Sequence, residues 1–233
     1  MREGSSMSMA EYLDDVISLD DVPQRDRASR WDGILKACDD RYGASQPECV
    51  HLVRGVAGYH FPELTDDGQE CERDLMLAAL RPSLAITARF YLGCHCFDHR
   101  RFKDALEHWN SIDTGVFVEN GQSWRALKVE ELRLCCEIES GRFAGVLEKF
   151  SRWRDAVFDT PEDGVPAPLE MLCSLEANLN AMQRELGTKA HRECVMWLWD
   201  VACRSQTEML FRERIENLRA TVWLPPAVKS PSE

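Results

Sequence analysis

Apolar residues along this chain recur every three to four positions and almost never alternate, which is the pattern of amphipathic helices. Ser8 and Glu11 have capping-box spacing, and Tyr12, Leu13, Val16 and Ile17 follow on one face, predicting a first helix. A second is expected over 26–42 on the stripe Trp31, Ile34, Leu35 and Cys38, with Gly43 placed for a left-handed stop. Ser45 and Glu48 repeat the cap spacing and open a third, which carries Val50, Val53, Val56 and Ala57. Its Gly55 and Gly58 weaken it or let a neighbour approach closely. Phe61-Pro62 breaks the chain before a fourth helix over 67–80, which ends ahead of Pro82. Beyond a proline-rich loop over 159–168, helices are expected over 168–186, stopped by Gly187, and over 188–205. A last one over 206–221 has alternating charge around Met209, Leu210, Ile215 and Leu218, as a polar-faced end cap does.

The middle of the chain repeats itself at a spacing of 41 residues. Arg101-Phe102-Lys103-Asp104-Ala105-Leu106-Glu107-His108-Trp109 falls on Arg142-Phe143-Ala144-Gly145-Val146-Leu147-Glu148-Lys149-Phe150, and Tyr91, Cys94 and Phe97 fall on Leu132, Cys135 and Ile138. Each copy reads as a long helix, a short polar turn and a second helix opened by Arg-Phe, so one supersecondary unit is used twice. Leu92-Gly93 in the first helix, then Phe102, Ala105 and Trp109 in the second, resemble the small and aromatic positions of tetratricopeptide repeats. Gly141, Phe143, Val146 and Phe150 follow the second-helix pattern in the other copy. The resemblance covers about residues 84–150, at a spacing longer than that family's period of about 34. It implies antiparallel hairpins stacked as a short solenoid or bundle, with a surface that binds a peptide or helix of another protein. In that family the first helices line the surface, which singles out Arg89, Phe90, Trp124, Arg125 and Lys128 as partner contacts.

Composition fits this picture. The chain is 44% hydrophobic and 29% charged, with helix formers plentiful and β-branched runs scarce. Its formal charge of −12 disfavours phosphate backbones and anionic membranes, so neither nucleic acid nor membrane is an expected partner. The first eleven residues lack a signal-peptide core, and no stretch approaches the roughly 20 apolar residues of a membrane span. A cytoplasmic, reducing setting follows as the expectation, and in it the ten cysteines read as small buried hydrophobes rather than disulfides.

Motifs with chemistry are few. Cys94-His95-Cys96-Phe97-Asp98-His99 gathers soft and imidazole groups, but on a helix Cys94 and Cys96 project about 200° apart. No second cluster with zinc spacing follows, so the residues read as buried thiols and a surface histidine pair, and no metal or other cofactor is expected. Cys135-Cys136 reads as core and not as a redox pair. Glu130/Glu131 and Asp66/Asp67 read as solvated faces, and the cluster His99-Arg100-Arg101 with Lys103 as a solvated turn. Of seven tryptophans, Trp109 and Trp31 are assigned to cores and all seven read as core, with Trp124 or one of Trp197 and Trp199 as the alternative candidates for partial exposure and an interface. No glycine-rich phosphate loop, nucleophile elbow or HExxH helix is present, so the chain reads as a non-enzyme.

The expectation is a single all-α domain over 1–224: N-terminal helices over 1–81, two repeat-like units over 84–157, a C-terminal hairpin with cap over 168–221, and a disordered tail over 225–233. Its expected function is an adaptor, scaffold or chaperone-like subunit. The alternatives are a small acidic inhibitor of a basic effector, of the immunity-protein kind, and a metal- or thiol-dependent regulator.

Overall fold

The computed structural model describes residues 7–65, 68–161, 165–205 and 209–223. Among them are twelve α-helices and no strand. Two compact units are formed, Met1–Ile112 and Asp113–Glu233, so the division falls between the two copies of the repeat. The tail over 225–233 and the pair Asp66/Asp67 lie outside the described residues.

In the first unit the helices are α1 (Met9–Ile17), α2 (Gln24–Cys38), α3 (Pro47–His60), α4 (Gly68–Ala78), α5 (Pro82–Asp98) and α6 (Phe102–Asn110). α1 opens on the expected capping box, with the Glu11 amide donating to Ser8 Oγ at 3.3 Å and the Glu11 carboxylate accepting from the Ser8 amide. Two other boundaries differ from expectation. Gly43 is not left-handed: α2 runs into a π-helical turn, Asp39–Gly43, and the space a Gly43 Cβ would take is filled by the Asp39 carboxylate. α3 begins at Pro47 without a side-chain cap, because proline at the first helical position needs no acceptor for an amide it lacks.

α3 lies against α4 through its two glycines. A Cβ on Gly55 would stand 2.6 Å from Leu75 Cγ, and one on Gly58 3.1 Å from Cys71 Cβ. The Cys71 thiol donates to the Gly55 carbonyl at 3.2 Å. Close approach, not helix weakening, is therefore the role of this glycine pair. α5 and α6 form a hairpin centred on Trp109, which is fully buried. Its indole fills the space beside Gly93, and Nε1 donates to the Phe90 carbonyl at 3.2 Å.

The second unit holds α7 (Gly115–Glu119), α8 (Ser123–Glu139), α9 (Val146–Asp159), α10 (Leu169–Ala177), α11 (Leu179–Arg204) and α12 (Met209–Trp223). α8 and α9 form a hairpin of the same kind, in which Trp153 Nε1 donates to the Leu127 carbonyl at 3.1 Å and Phe150 is fully buried. α10 lies on α8 and α11 on α9, and α12 covers α11. Gly187 interrupts α11 as expected, at φ +82°, but the single helix expected over 168–186 is divided at Asn178, where α10 ends and α11 begins. The second copy of the repeat differs in one respect: its second helix starts at Val146 instead of Arg142-Phe143. Gly145 holds a left-handed turn at φ +74° there, so the helix cannot begin earlier.

The 41-residue spacing is exact in the helix stops. At the end of α5, Arg100 has φ +59°, its amide donates to the Phe97 carbonyl at 2.9 Å, and the Arg101 amide donates to the Cys96 carbonyl at 2.8 Å. At the end of α8, Gly141 has φ +68°, with Gly141 to Ile138 at 3.0 Å and Arg142 to Glu137 at 2.8 Å. Both are Schellman motifs, and Gly121 ends α7 in the same way. Only the first places a side chain in the left-handed position, which disfavours every residue but glycine. Arg100→Gly is therefore expected to raise stability by about 1 kcal/mol and Gly141→Ala to lower it by about 1 kcal/mol, read as opposite shifts of the urea midpoint.

Candidate functional site

Three places gather polar or exposed apolar side chains. The first is the outer face of α4 in the first unit. Glu72, Arg73, Met76, Leu77 and Leu80 recur at helical spacing and line a groove of about 540 Å³. Met76 is 56% and Leu80 75% exposed, the two most exposed large apolar side chains among the described residues. A single exposed leucine is ordinary, but a stripe along one helix face is the form a docking surface takes.

Glu72 connects that groove to a polar cluster. Its Oε2 accepts from Arg101 Nη2 at 2.7 Å and lies 3.7 Å from His95 Nε2. The His95 and His99 rings stack with centroids 4.3 Å apart, and His99 Nδ1 lies 2.8 Å from the His95 carbonyl, to which it donates. Burial, then the neighbouring His99, hold the His95 imidazole below its ordinary value. The expected surface histidine pair is thus half wrong: His99 is exposed, but His95 faces inward and is buried. Arg101 is likewise tied down by Glu72, leaving Arg100 and Lys103 as the exposed part of the basic turn. No group of three or more potential ligands that would hold a metal ion occurs among the described residues.

The second place is internal to the second unit. Glu131, read from sequence as part of a solvated face, is fully buried. It lies 3.1 Å from Lys128 Nζ and accepts the Met171 amide at 3.2 Å, in the first turn of α10. Lys128 also donates to the Glu170 carboxylate, and to the Ala167 carbonyl at 3.4 Å. Burial pushes the Glu131 carboxyl up to about 7 against the pull of Lys128. Burial alone would depress the Lys128 ammonium, but Glu131 and Glu170 outweigh it and raise it above its ordinary value. The network thus fastens the start of α10 to α8, with a carboxylate at a helix N-terminus where the backbone field favours it.

The third is Trp124, 42% exposed at the start of α8, with the Arg125 guanidinium 5.1 Å from its ring centroid. Of the five residues selected as partner contacts, Trp124 is the exposed one, while Arg125, Arg89 and Lys128 are half-buried. Phe90 is buried and its carbonyl serves Trp109, Lys128 serves the internal network, and Arg89 donates to the Ser111 carbonyl at 3.3 Å. Arg89 and Phe90 belong to the first unit and the other three to the second. Sequence reasoning missed the α4 stripe, although Met76 and Leu80 could have been found by asking which apolar positions lie off the buried face of Cys71, Leu75 and Ala78.

The thiols are mostly core. Seven of the ten cysteines are buried, including Cys135 and Cys136, and only Cys173 and Cys203 are exposed. Burial pushes the Cys96 thiol up to about 11 and Cys71 to about 12, values of inert side chains. No described helix is long and apolar enough to cross a membrane. Comparison with protein-family models, curated proteins and solved structures finds no match.

Proposed function

We propose that this chain is a binding protein, an adaptor or scaffold whose helical hairpins present α4 to a helix of a partner. The observation that carries the reading is the exposed pair Met76, on α4, and Leu80, just past its end, which line a groove with the half-buried Leu77 and are bordered by Glu72 and Arg73. Such a face takes an amphipathic helix, whose apolar residues at matching spacing would fill the groove. The formal charge of −12 selects for a partner with a basic rim. Helix pairing supports a repeat-like stack within each unit: α5 lies on both α3 and α4, while α10 lies on α8 and α11 on α9. Hairpins laid along one another in this way leave helix faces open at the sides of the stack.

A photo-reactive residue at position 80 tests the reading by cross-linking the partner, which is then purified. Met76→Ala/Leu80→Ala is expected to weaken that complex by about 2–4 kcal/mol, a loss of tens- to hundreds-fold in affinity, with the circular dichroism of the chain unchanged. Affinity unchanged in the double variant but lost in Trp124→Ala would move the contact to the start of α8. The acidic-inhibitor reading is favoured by one observation: the carboxylates Asp14, Asp20, Asp21, Asp32, Asp39 and Asp40 are all exposed on α1, α2 and the turns after them. A complex that tolerates Met76→Ala/Leu80→Ala but dissociates steeply with salt would support it instead.

A further inference from the structure

Between Met182 and Cys194, both fully buried, α11 sends one side chain into the interior, His191. Every other residue from 183 to 193 is exposed or half-buried. Gly187 breaks the helix within this stretch, at φ +82° and ψ +156°, and no neighbouring side chain comes within 4 Å of the place a Cβ on it would take. The helix restarts beyond Gly187, and His191 closes its first turn. The imidazole is 0% exposed, and neither Nδ1 nor Nε2 has a hydrogen-bond partner among the described residues. We propose that neutral His191 is the peg that holds the first turn after Gly187 against the second unit, and that a proton on it releases that turn locally, with Gly187 as the pivot.

The neutral ring fits such a place because it carries no net charge and gives up only its hydrogen bonds to water. An imidazolium has two N–H donors and a positive charge, and it finds there neither an acceptor nor a counter-ion. It would also stand in the first turn of a helix, where unpaired backbone amides oppose a cation. Charged side chains of the helices packed on α11 are committed elsewhere: Lys149 and Arg154 of α9 to Glu137 and Asp155, Glu170 of α10 to Lys128, and Arg214 of α12 to Glu176. On α11 itself, Arg192 and Glu193 follow His191 and are half-buried. None of these shifts the imidazole, which burial alone holds below its ordinary value. The release is local because opening one turn bares His191 and no other buried side chain, while Cys194, Val195 and Leu198 stay in the core. With its folded value depressed, His191 contributes stability that is complete above the unfolded value near 6.5 and is lost as pH falls below it. The peg belongs to the second unit, so it does not depend on the binding reading of α4.

Amide hydrogen exchange of the full chain, followed residue by residue by nuclear magnetic resonance, tests the peg. Arg192, Glu193 and Cys194 are the reporters, because in a helix their amides bond to the carbonyls of Thr188, Lys189 and Ala190. Their protection, corrected for the intrinsic exchange rate, is expected to fall about 30-fold between about pH 7.5 and about pH 5, one proton being taken up on opening. The amides from Trp199 to Ala202, deeper in the same helix, are expected to keep theirs. His191→Leu and His191→Met each retain an apolar peg of similar size that takes no proton. In both, protection of the reporters is expected to be flat with pH, with circular dichroism unchanged at neutral pH. Protection that is independent of pH in the parent would overturn the proposal, as would an equal acid loss in the two variants. So would a loss that reaches Trp199 to Ala202 to the same extent, because the second unit would then be opening as a whole.

Discussion

A chain carrying Trp109→Ala is expected to lose about 3–5 kcal/mol of stability, seen as a lower urea midpoint for the first unit. Trp109 is fully buried, and its indole does three things at once: it fills the hairpin between α5 and α6, occupies the space beside Gly93, and adds a hydrogen bond to the Phe90 carbonyl. Removing it leaves a cavity in close-packed surroundings and takes the indole bond from the Phe90 carbonyl, and α5 cannot collapse far because it is also held by α3 and α4. The reciprocal change makes the argument specific. Gly93→Ala puts a methyl group where the rigid indole sits, so it should be destabilising on its own. Combined with Trp109→Phe it should cost less than the two separate changes added together, because the smaller ring frees the space. Strict additivity, or a Trp109→Ala chain within about 1 kcal/mol of the parent, would show that the hairpin is held by something else.

Lys128→Met should cost nearly as much, about 3–5 kcal/mol at pH 8. It leaves Glu131 fully buried without its cation, and the Met171 amide alone cannot compensate a carboxylate taken out of water. The damage should depend on pH in a defined direction. Burial already pushes the Glu131 carboxyl up to about 7, so the native state holds a proton there that the unfolded chain releases near 4.5. Stability from this group therefore falls as pH rises between those values, and without Lys128 the fall becomes steeper and extends higher. The loss in Lys128→Met should thus shrink on acidification towards pH 5, where Glu131 is neutral. The double variant Lys128→Met/Glu131→Leu should recover most of it at every pH, because it removes both the stranded charge and the need for its partner. A pH-independent loss, or a double variant no better than the single one, would mean that Glu131 is neutral already or reached by water.

Much of the architecture was legible in the residues. The Ser8 cap, the break at Gly187 and the two hairpins all follow from local signals: side-chain caps, glycine and the periodicity of apolar positions. The exposure of Trp124 departs from the reading of all seven tryptophans as core, although its place at the opening of a helix had marked it as a candidate. What could not be read depends on contacts distant in the sequence. Glu131 looks like one half of an acidic pair on a helix surface, and only the arrival of α10, about 40 residues later, turns its face inward. His95 is turned inward by Glu72 and α4 in the same way. Gly43 failed as a left-handed stop for a local reason, the π-helical turn, which no glycine position announces. The division into compact units between Ile112 and Asp113 has no run of linker-like residues to mark it.

The helix stops also bear on how fast this chain folds. Schellman closures at Arg100 and Gly141 turn each long helix back onto its sequence neighbour, so the first contacts to form join residues only a few turns apart along the chain. Loop closure over so short a distance costs little entropy, and folds dominated by such contacts cross their barriers in microseconds to milliseconds. The slow step should then be the seating of α10 on the buried Lys128–Glu131 pair, whose charges must shed water before they can meet.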